Sequence, residues 1–251
     1  MKLIVIGGSG LIGSKLVAKL REQGHDVVAA SPDTGVNALT GEGLPEALHG
    51  ASVVIDVSNS PSFEEAAAMN FFTTTTRSLL KYAAMAGVRH YVALSVVGTE
   101  RIPDSPYLRA KHAQETLIKG GGIPYSIVHA TQFFEFMTRI ADEATEGMTV
   151  RLPPVLIRPM AADDVSKAVG RVALGAPLNG TVEVAGPQQF RFDELIRQIL
   201  RERNDRRSVV ADPRARYFGA ELSERSLVPR DDAQMGEIRW EDWARQPVPV
   251  K

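Results

Sequence analysis

The sequence predicts a doubly wound α/β fold, one parallel sheet with helices on both faces. Two observations carry that expectation. Short apolar runs, rich in β-branched residues, alternate with segments of helical period from the first residue onward. The first such run also ends in glycines spaced three apart, Gly7, Gly10 and Gly13, just where a helix begins. At 251 residues the chain is long enough for one such domain with material left for a pocket beside it. The expected organisation is a single domain over residues 1–251. A small C-terminal substrate-pocket region draws on residues of about 131–160 and 187–251.

Leu3-Ile4-Val5-Ile6 is apolar throughout, as a strand buried on both faces must be. In the helix that follows, Ile12, Leu16 and Leu20 share a face, and Gly24 stands where a C-terminal glycine cap belongs. Val27 to Ala30 supplies the second strand. Val53 to Val57 supplies another, after a short helical stretch from Pro45 to Leu48. The longest helix runs from Phe63 to Ala86, with Met69, Phe72, Thr76, Leu79 and Ala83 at helical spacing and Gly87 to end it. Its run Thr73-Thr74-Thr75-Thr76 has poor helix propensity, because branched β-carbons lose rotamer freedom. That predicts a helix packed closely on the sheet through small branched side chains.

His90 to Val96 and Tyr125 to Ala130 are the next strands, and Gly120-Gly121-Gly122 breaks the helix between them. Beyond Ala130 the rhythm changes. Asp163-Asp164 is expected to cap a helix running to about Leu174. Thr181 to Ala185 reads as a strand and Phe192 to Glu202 as a helix. The tail, with Trp240 and Trp243, shows no linker. It is expected to fold over the carboxyl ends of the strands, where ligands sit in such sheets.

Composition excludes several classes. Hydrophobic residues make 44% and charged residues 24%, the proportions of a globular chain rather than a disordered one. A net charge of −1 leaves no basic face for a nucleic-acid backbone or an anionic membrane. The lack of cysteine excludes disulfides, thiol catalysis and thiolate metal sites. The five histidines are scattered, without the i, i+4 pairing of a zinc site, so no metal is expected. The amino-terminal run is too short to span a bilayer or serve as a signal-peptide core, so the expected location is the cytoplasm.

The segment Gly7-Gly8-Ser9-Gly10-Leu11-Ile12-Gly13 opens the first βαβ unit, the context that a Rossmann dinucleotide fingerprint requires. Gly7 permits a tight turn, Gly10 lets the backbone approach a pyrophosphate, and Gly13 lets the helix pack on the strand. The pyrophosphate then meets the unpaired amides of the first helical turn, around Leu11 and Ile12, while Ser9 adds a hydroxyl. An acidic residue closing the second strand would grip a ribose hydroxyl of NAD, and an arginine would receive the 2′-phosphate of NADP. Ser31 stands there instead, with no carboxylate to repel a phosphate and a hydroxyl to donate to one. Asp33, two residues on, is placed to serve NAD. The expected cofactor is NADP, with NAD left open.

Tyr107 and Lys111 are four apart and lie on one helical face, one turn from each other. A cationic Lys111 near the phenol favours phenolate and lowers the pKa of Tyr107. Lys111 can also hold the nicotinamide ribose. Ser95, at a strand end, can donate to a carbonyl oxygen that gains charge.

With these residues in order, the sequence resembles the short-chain dehydrogenase/reductase superfamily, most of all its atypical NmrA-like branch. The resemblance is carried by Gly7 to Gly13, Gly87 to Gly98, Tyr107 to Lys111, Ala130 to Phe133, Arg158 to Val165 and Val184 to Pro187. It implies that Ser95, Tyr107 and Lys111 match a serine–tyrosine–lysine triad. Tyr107 would be general acid in reduction, Lys111 its electrostatic partner and ribose ligand, and Ser95 the carbonyl orienter. It further implies that Ser58 and Asn59 line the ribose and nicotinamide. Thr131, Gln132 and Phe133 would flank the nicotinamide and the substrate. Two departures stand out. The arginine that often follows the second strand in NADP-using relatives is missing, and Asn70 does not fall at the spacing used by the sugar-nucleotide branch.

The expected activity is NAD(P)-dependent reduction of a carbonyl, or oxidation of the matching alcohol, on a small, partly apolar substrate. Phe133, Phe134 and Phe136 offer the aromatic surface for it. Two other readings stay open. One is a dinucleotide sensor that binds a partner protein without turnover. The other is an epimerase-like enzyme that keeps its cofactor bound. The expected partner is a small-molecule substrate, and a homodimer is compatible with the chain.

Overall fold

Strand β1 (Lys2–Ile6) is buried along its length, as its unbroken apolar run requires. The computed structural model describes residues 1–246. Helix α1 (Leu11–Glu22) follows and closes at Gly24, whose φ of +80° is the left-handed conformation that ends a helix at glycine. Next come β2 (Asp26–Ala30), α2 (Leu44–Leu48), β3 (Val53–Asp56), α3 (Glu65–Met85), β4 (His90–Val96), α4 (Pro106–Lys119) and β5 (Tyr125–Ala130). The second half begins with α5 (Met137–Glu143), β6 (Thr145–Glu146), β7 (Thr149–Leu152), β8 (Leu156–Ile157), α6 (Ala162–Leu174) and β9 (Gly180–Ala185). It continues with β10 (Phe190–Arg191), α7 (Phe192–Glu202), β11 (Ser208–Ala211), β12 (Gln234–Met235) and α8 (Trp240–Ala244).

The main sheet runs β2-β1-β3-β4-β5-β9-β12, with every neighbouring pair parallel. This is the doubly wound fold the alternating pattern predicts. The strand order reverses between β1 and β3, and the crevice beyond their carboxyl ends is where such sheets hold ligands. On one face Leu16 and Leu20 of α1 join Val165 and Val169 of α6 over Val5, Val92 and Val128. On the other face Leu48 of α2, Leu79 of α3 and Ile118 of α4 cover Ile4, Val54 and Ile127. A further core forms under the second half, around Phe134, Met137, Phe192, Ile196 and Trp240.

Three details differ from expectation. Asp163 and Asp164 lie inside the first turn of α6, whose N-cap is Ala161. There Asp163 accepts from Lys15 at 2.7 Å and Lys19 at 3.1 Å, which ties α6 to α1. Asp164 accepts the amides of Glu237 and Ile238, both at 2.8 Å, which docks the segment after β12. Helix α3, which carries the threonine run, packs chiefly on α4 rather than on the sheet, and Thr73 and Thr75 donate back to Met69 O and Phe71 O at 2.7 Å. The tail does not simply cover the strand ends: β12 extends the sheet edge, and β11 joins β7 and β6 in a separate small sheet. Among the described residues no helix is long and apolar enough to cross a membrane.

Candidate functional site

The glycine turn is built by backbone constraints. Gly7 has φ +78°, its amide donates to Ala30 O at 2.9 Å, and the Gly10 amide donates back to Gly7 O at 3.0 Å. A Cβ on Gly13 would overlap the Gly7 carbonyl oxygen and come within 2.8 Å of Gly8 Cα. A Cβ on Gly8 would stand 2.7 Å from Ala29 Cα, so Gly8 is as constrained as the three spaced glycines. Spacing alone does not single it out. Helix α1 starts at Gly10 with no side-chain cap and no acidic residue in its first turn. Its amide end is bare and favours an anion. Ser9 is exposed beside it, with its hydroxyl 3.4 Å from Asp33 Oδ2.

A cavity of about 570 Å³ joins this turn to an aromatic chamber. Of the expected site residues, all line it except Gly13, which is packed under the turn. Ser31 Oγ, Gln132 Oε1 and Ser105 Oγ are buried at its wall without a partner among the described residues. Left unpaired, each such group costs about 1–3 kcal/mol. Bare amides, a backbone cradle without Cβ atoms and orphaned polar groups together fit a nicotinamide dinucleotide. Thr131 is less available, because its hydroxyl donates to Arg158 O at 2.6 Å. Phe133 leans on Phe136, with ring centres 5.6 Å apart.

Lys111 is buried on the inner face of α4. Its Nζ donates to Leu94 O at 2.9 Å and to Gln114 Oε1, and lies 4.5 Å over the Phe72 ring. An ammonium has three donors, so one remains for a ligand oxygen. Burial pulls the Lys111 pKa down to about 8, while Asp56 and Glu115 oppose that fall. Gln114 Nε2 donates to Asp56 Oδ2 at 3.0 Å, and Ser58 Oγ donates to Asp56 Oδ1 at 2.6 Å. One chain of hydrogen bonds thus links Lys111 to the loop after β3.

Tyr107 donates its hydroxyl proton to Asn59 Oδ1 at 2.9 Å and meets Phe63 edge-on at 5.1 Å. Its pKa is not lowered as expected. Burial, and then the neighbouring Tyr217 phenol, hold it well above the ordinary range. Tyr107 is therefore a held proton rather than a ready phenolate. Ser95 also differs. Its single hydroxyl proton goes to Glu115 Oε1 at 2.5 Å, so it offers only lone pairs to the cavity. Donation from Ser95 to a carbonyl is not available in this arrangement.

Glu115 is fully buried, and His129 Nε2 donates to the same oxygen at 2.8 Å. Burial pushes its carboxyl up, but His129, Ser95 and Lys111 together hold it below the usual range. Sequence reasoning missed Glu115, although a signal existed: it falls with Leu108, Lys111 and Ile118 on the buried stripe of α4. Asp56, Gln114, Tyr217, Phe63 and Arg139 were missed too.

The Lys111 shift predicts a pH dependence. Between pH 8 and 10.5 the unfolded chain holds a proton on this lysine that the folded chain has lost, so stability rises with pH across that window. Urea unfolding should show a gain of about 2 kcal/mol from near pH 7.5 to near pH 9.5, absent in Lys111→Met. A flat wild-type profile would contradict the burial argument.

Residues 7–149 match the model of a family described as NAD(P)H-binding. The chain belongs to that NAD(P)H-binding family. It is 24% identical over 216 residues to the photosystem II assembly factor Ycf39 of Synechocystis sp. (strain ATCC 27184 / PCC 6803 / Kazusa), covering 78% of this chain and 66% of that protein. The chain therefore spans just under two thirds of that relative. A UDP-glucose 4-epimerase from Thermotoga maritima, solved with UDP-glucose, superposes with a TM-score of 0.75 at 17% identity, over 98% of this chain and 96% of that one. The dTDP-glucose 4,6-dehydratase DesIV from Streptomyces venezuelae, with NAD and TYD bound, gives 0.71 at 18% identity, over 98% and 95%. At such identities the likeness is one of fold. The family assignment bears out the reading of a NAD(P)-binding protein, the solved structures bear out its Rossmann fold, and the NmrA-like branch fits that family.

Proposed function

We propose that the protein is an NADP-preferring oxidoreductase that reduces the carbonyl of a small, partly apolar substrate, or oxidises the matching alcohol. One observation supports this above others: Tyr107, the free donor of Lys111 and the glycine turn all line one cavity with aromatic walls. When bound, the reduced dinucleotide supplies hydride. Tyr107 carries the proton for the carbonyl oxygen at Oη, and a bound carbonyl would have to take that proton's hydrogen bond from the exposed Asn59 Oδ1. Its raised pKa keeps that proton in place until charge develops on the oxygen. The Lys111 cation, one turn away, then stabilises the phenolate left behind. Phe63 and Phe218 line the cavity beside Tyr107 and give it an apolar wall. Ser95 serves as an acceptor for a ligand hydroxyl rather than as a donor to the carbonyl.

The preference for NADP rests on the orphaned Ser31 hydroxyl. One hydroxyl donating to an anionic phosphate is worth about 1.5–3 kcal/mol, so NADPH should bind roughly 10- to 100-fold tighter than NADH. Tyr107→Phe should lower kcat by about 10²- to 10⁴-fold while dinucleotide affinity holds within about twofold, because the phenol acts on the proton and not on the diphosphate. Cofactor oxidation over a panel of aldehydes, ketones and quinones provides the assay. Unchanged kcat in the variant would overturn the assignment.

A second reading has its own support. The likeness to an assembly factor and the engagement of Ser95 by Glu115 favour a dinucleotide-binding protein without turnover. Tight dinucleotide binding with flat absorbance across the whole panel would select it.

A further inference from the structure

We propose that Arg139 makes the aromatic chamber an anion-recognition site, so that the substrate is a small carbonyl compound bearing a carboxylate. The carbonyl in this statement rests on the oxidoreductase reading above; the carboxylate does not. Two charged side chains line the cavity, Lys111 and Arg139, and among the described residues no Asp or Glu does. The chain as a whole carries 30 acidic residues against 29 basic ones, so a wall with cations alone is a local departure from the average. Lys111 gives two of its three donors to Leu94 O and Gln114, and the proposed reaction uses the third. Arg139 has no hydrogen bond or ion pair among the described residues.

The acids beside Arg139 face elsewhere. Glu135 accepts the Ala162 amide and Trp243 Nε1, and Asp142 pairs with Arg207 at 2.8 Å. Phe136, Arg139 and Ile140 sit at helical spacing and together face the cavity. The guanidinium lies 4.4 Å over the Phe63 ring, which in turn meets Tyr107 at 5.1 Å and Phe218 at 5.3 Å. A guanidinium held against an aromatic face by cation–π attraction still has its N–H donors to offer, and two of them can receive a carboxylate. Phe218 holds a left-handed φ of +45° to bring its ring to this wall, a conformation costly for a bulky residue and typical of ligand-shaping turns. Arg139 and Tyr107 both border the Phe63 ring, so the substrate would have to reach from one to the other.

Calorimetry on the NADP-loaded full chain tests this with benzoate and its neutral isostere benzamide. Benzoate should bind at least about tenfold tighter, the worth of a charge-assisted pair. Arg139→Gln should erase the difference, Arg139→Lys should keep part of it, and NADP affinity should stay within about twofold in both, since the side chain is exposed and unbonded. Equal binding of the two probes to the wild type overturns the proposal, as does a difference that survives in Arg139→Gln. Loss of NADP affinity in that variant also overturns it, by assigning the arginine to the dinucleotide. Turnover of 4-formylbenzoate separates the two readings. No consumption with charge-selective binding intact sinks the oxidoreductase and leaves the anion site.

Discussion

Gly13→Ala is expected to remove measurable dinucleotide binding and to lower the melting temperature by roughly 3–10 °C, the consequence of about 1–3 kcal/mol of overpacking in a domain of this size. The added methyl has nowhere to go. It would overlap the Gly7 carbonyl oxygen and approach Gly8 Cα at 2.8 Å, and both are backbone atoms that no rotamer change can move. Relief requires α1 to lift from the β1 end, which carries the bare amides at Leu11 and Ile12 away from the phosphate they would cradle. Gly24→Ala separates folding from binding. Gly24 has φ +80°, and a methyl added there would meet nothing within 4 Å, so the change strains the helix end without touching the turn. It should cost about 1 kcal/mol and leave the affinity for NADPH unchanged. Thermal melts with and without NADPH measure both effects. Full affinity in Gly13→Ala would mean that the diphosphate does not sit on this corner.

The same glycines show what the chain makes legible and why. The corner is local: β1, the turn and α1 follow one another within Lys2 to Glu22, so residue type and spacing already determine the geometry. The parallel strands are equally readable, because burial on both faces leaves an uninterrupted apolar run such as Val53 to Ile55. The α7 boundaries match the apolar period from Phe192 to Glu202. What stays hidden depends on partners far apart in sequence. Asp56 meets Gln114 across 58 positions and Tyr91 across 35, and nothing near Asp56 announces either. Arg139 reads as one more surface arginine until Phe63 is brought beneath it. Strands of two residues, such as Gln234–Met235, are too short for any period to show. The polarity of the Ser95 and Tyr107 hydroxyls is hidden for the same reason. Ser95 takes its role from Glu115, and Tyr107 is shifted in part by Tyr217.

Glu115→Ala should be the most destabilising polar substitution in the site, at about 3–5 kcal/mol, the range for removing one partner of a buried ionic contact. Its carboxylate has no exposed surface and takes hydrogens from both Ser95 and His129. Truncation strands both donors beside a void. Glu115→Gln keeps the shape and one acceptor oxygen, so its cost should be smaller, nearer to about 1–2 kcal/mol. The two variants also separate charge from shape through pH. The folded-state pKa of Glu115 is depressed, so its contribution is present above the unfolded carboxyl pKa and is lost as pH falls through the folded value. Wild type should therefore gain stability on going from acid to mildly acidic solution, and Glu115→Gln should lack that part of the gain. Urea unfolding across this range measures the difference. Identical profiles would show that His129 and Ser95 need only an acceptor there and not an anion. The Glu115 acceptor matters to the site because it takes the Ser95 proton and turns that serine's lone pairs toward the cavity. Glu115→Ala, which removes that acceptor, should return Ser95 toward a donor role, and any hydroxyl-bearing ligand that relies on Ser95 as acceptor should bind less tightly to it than to the wild type or to Glu115→Gln.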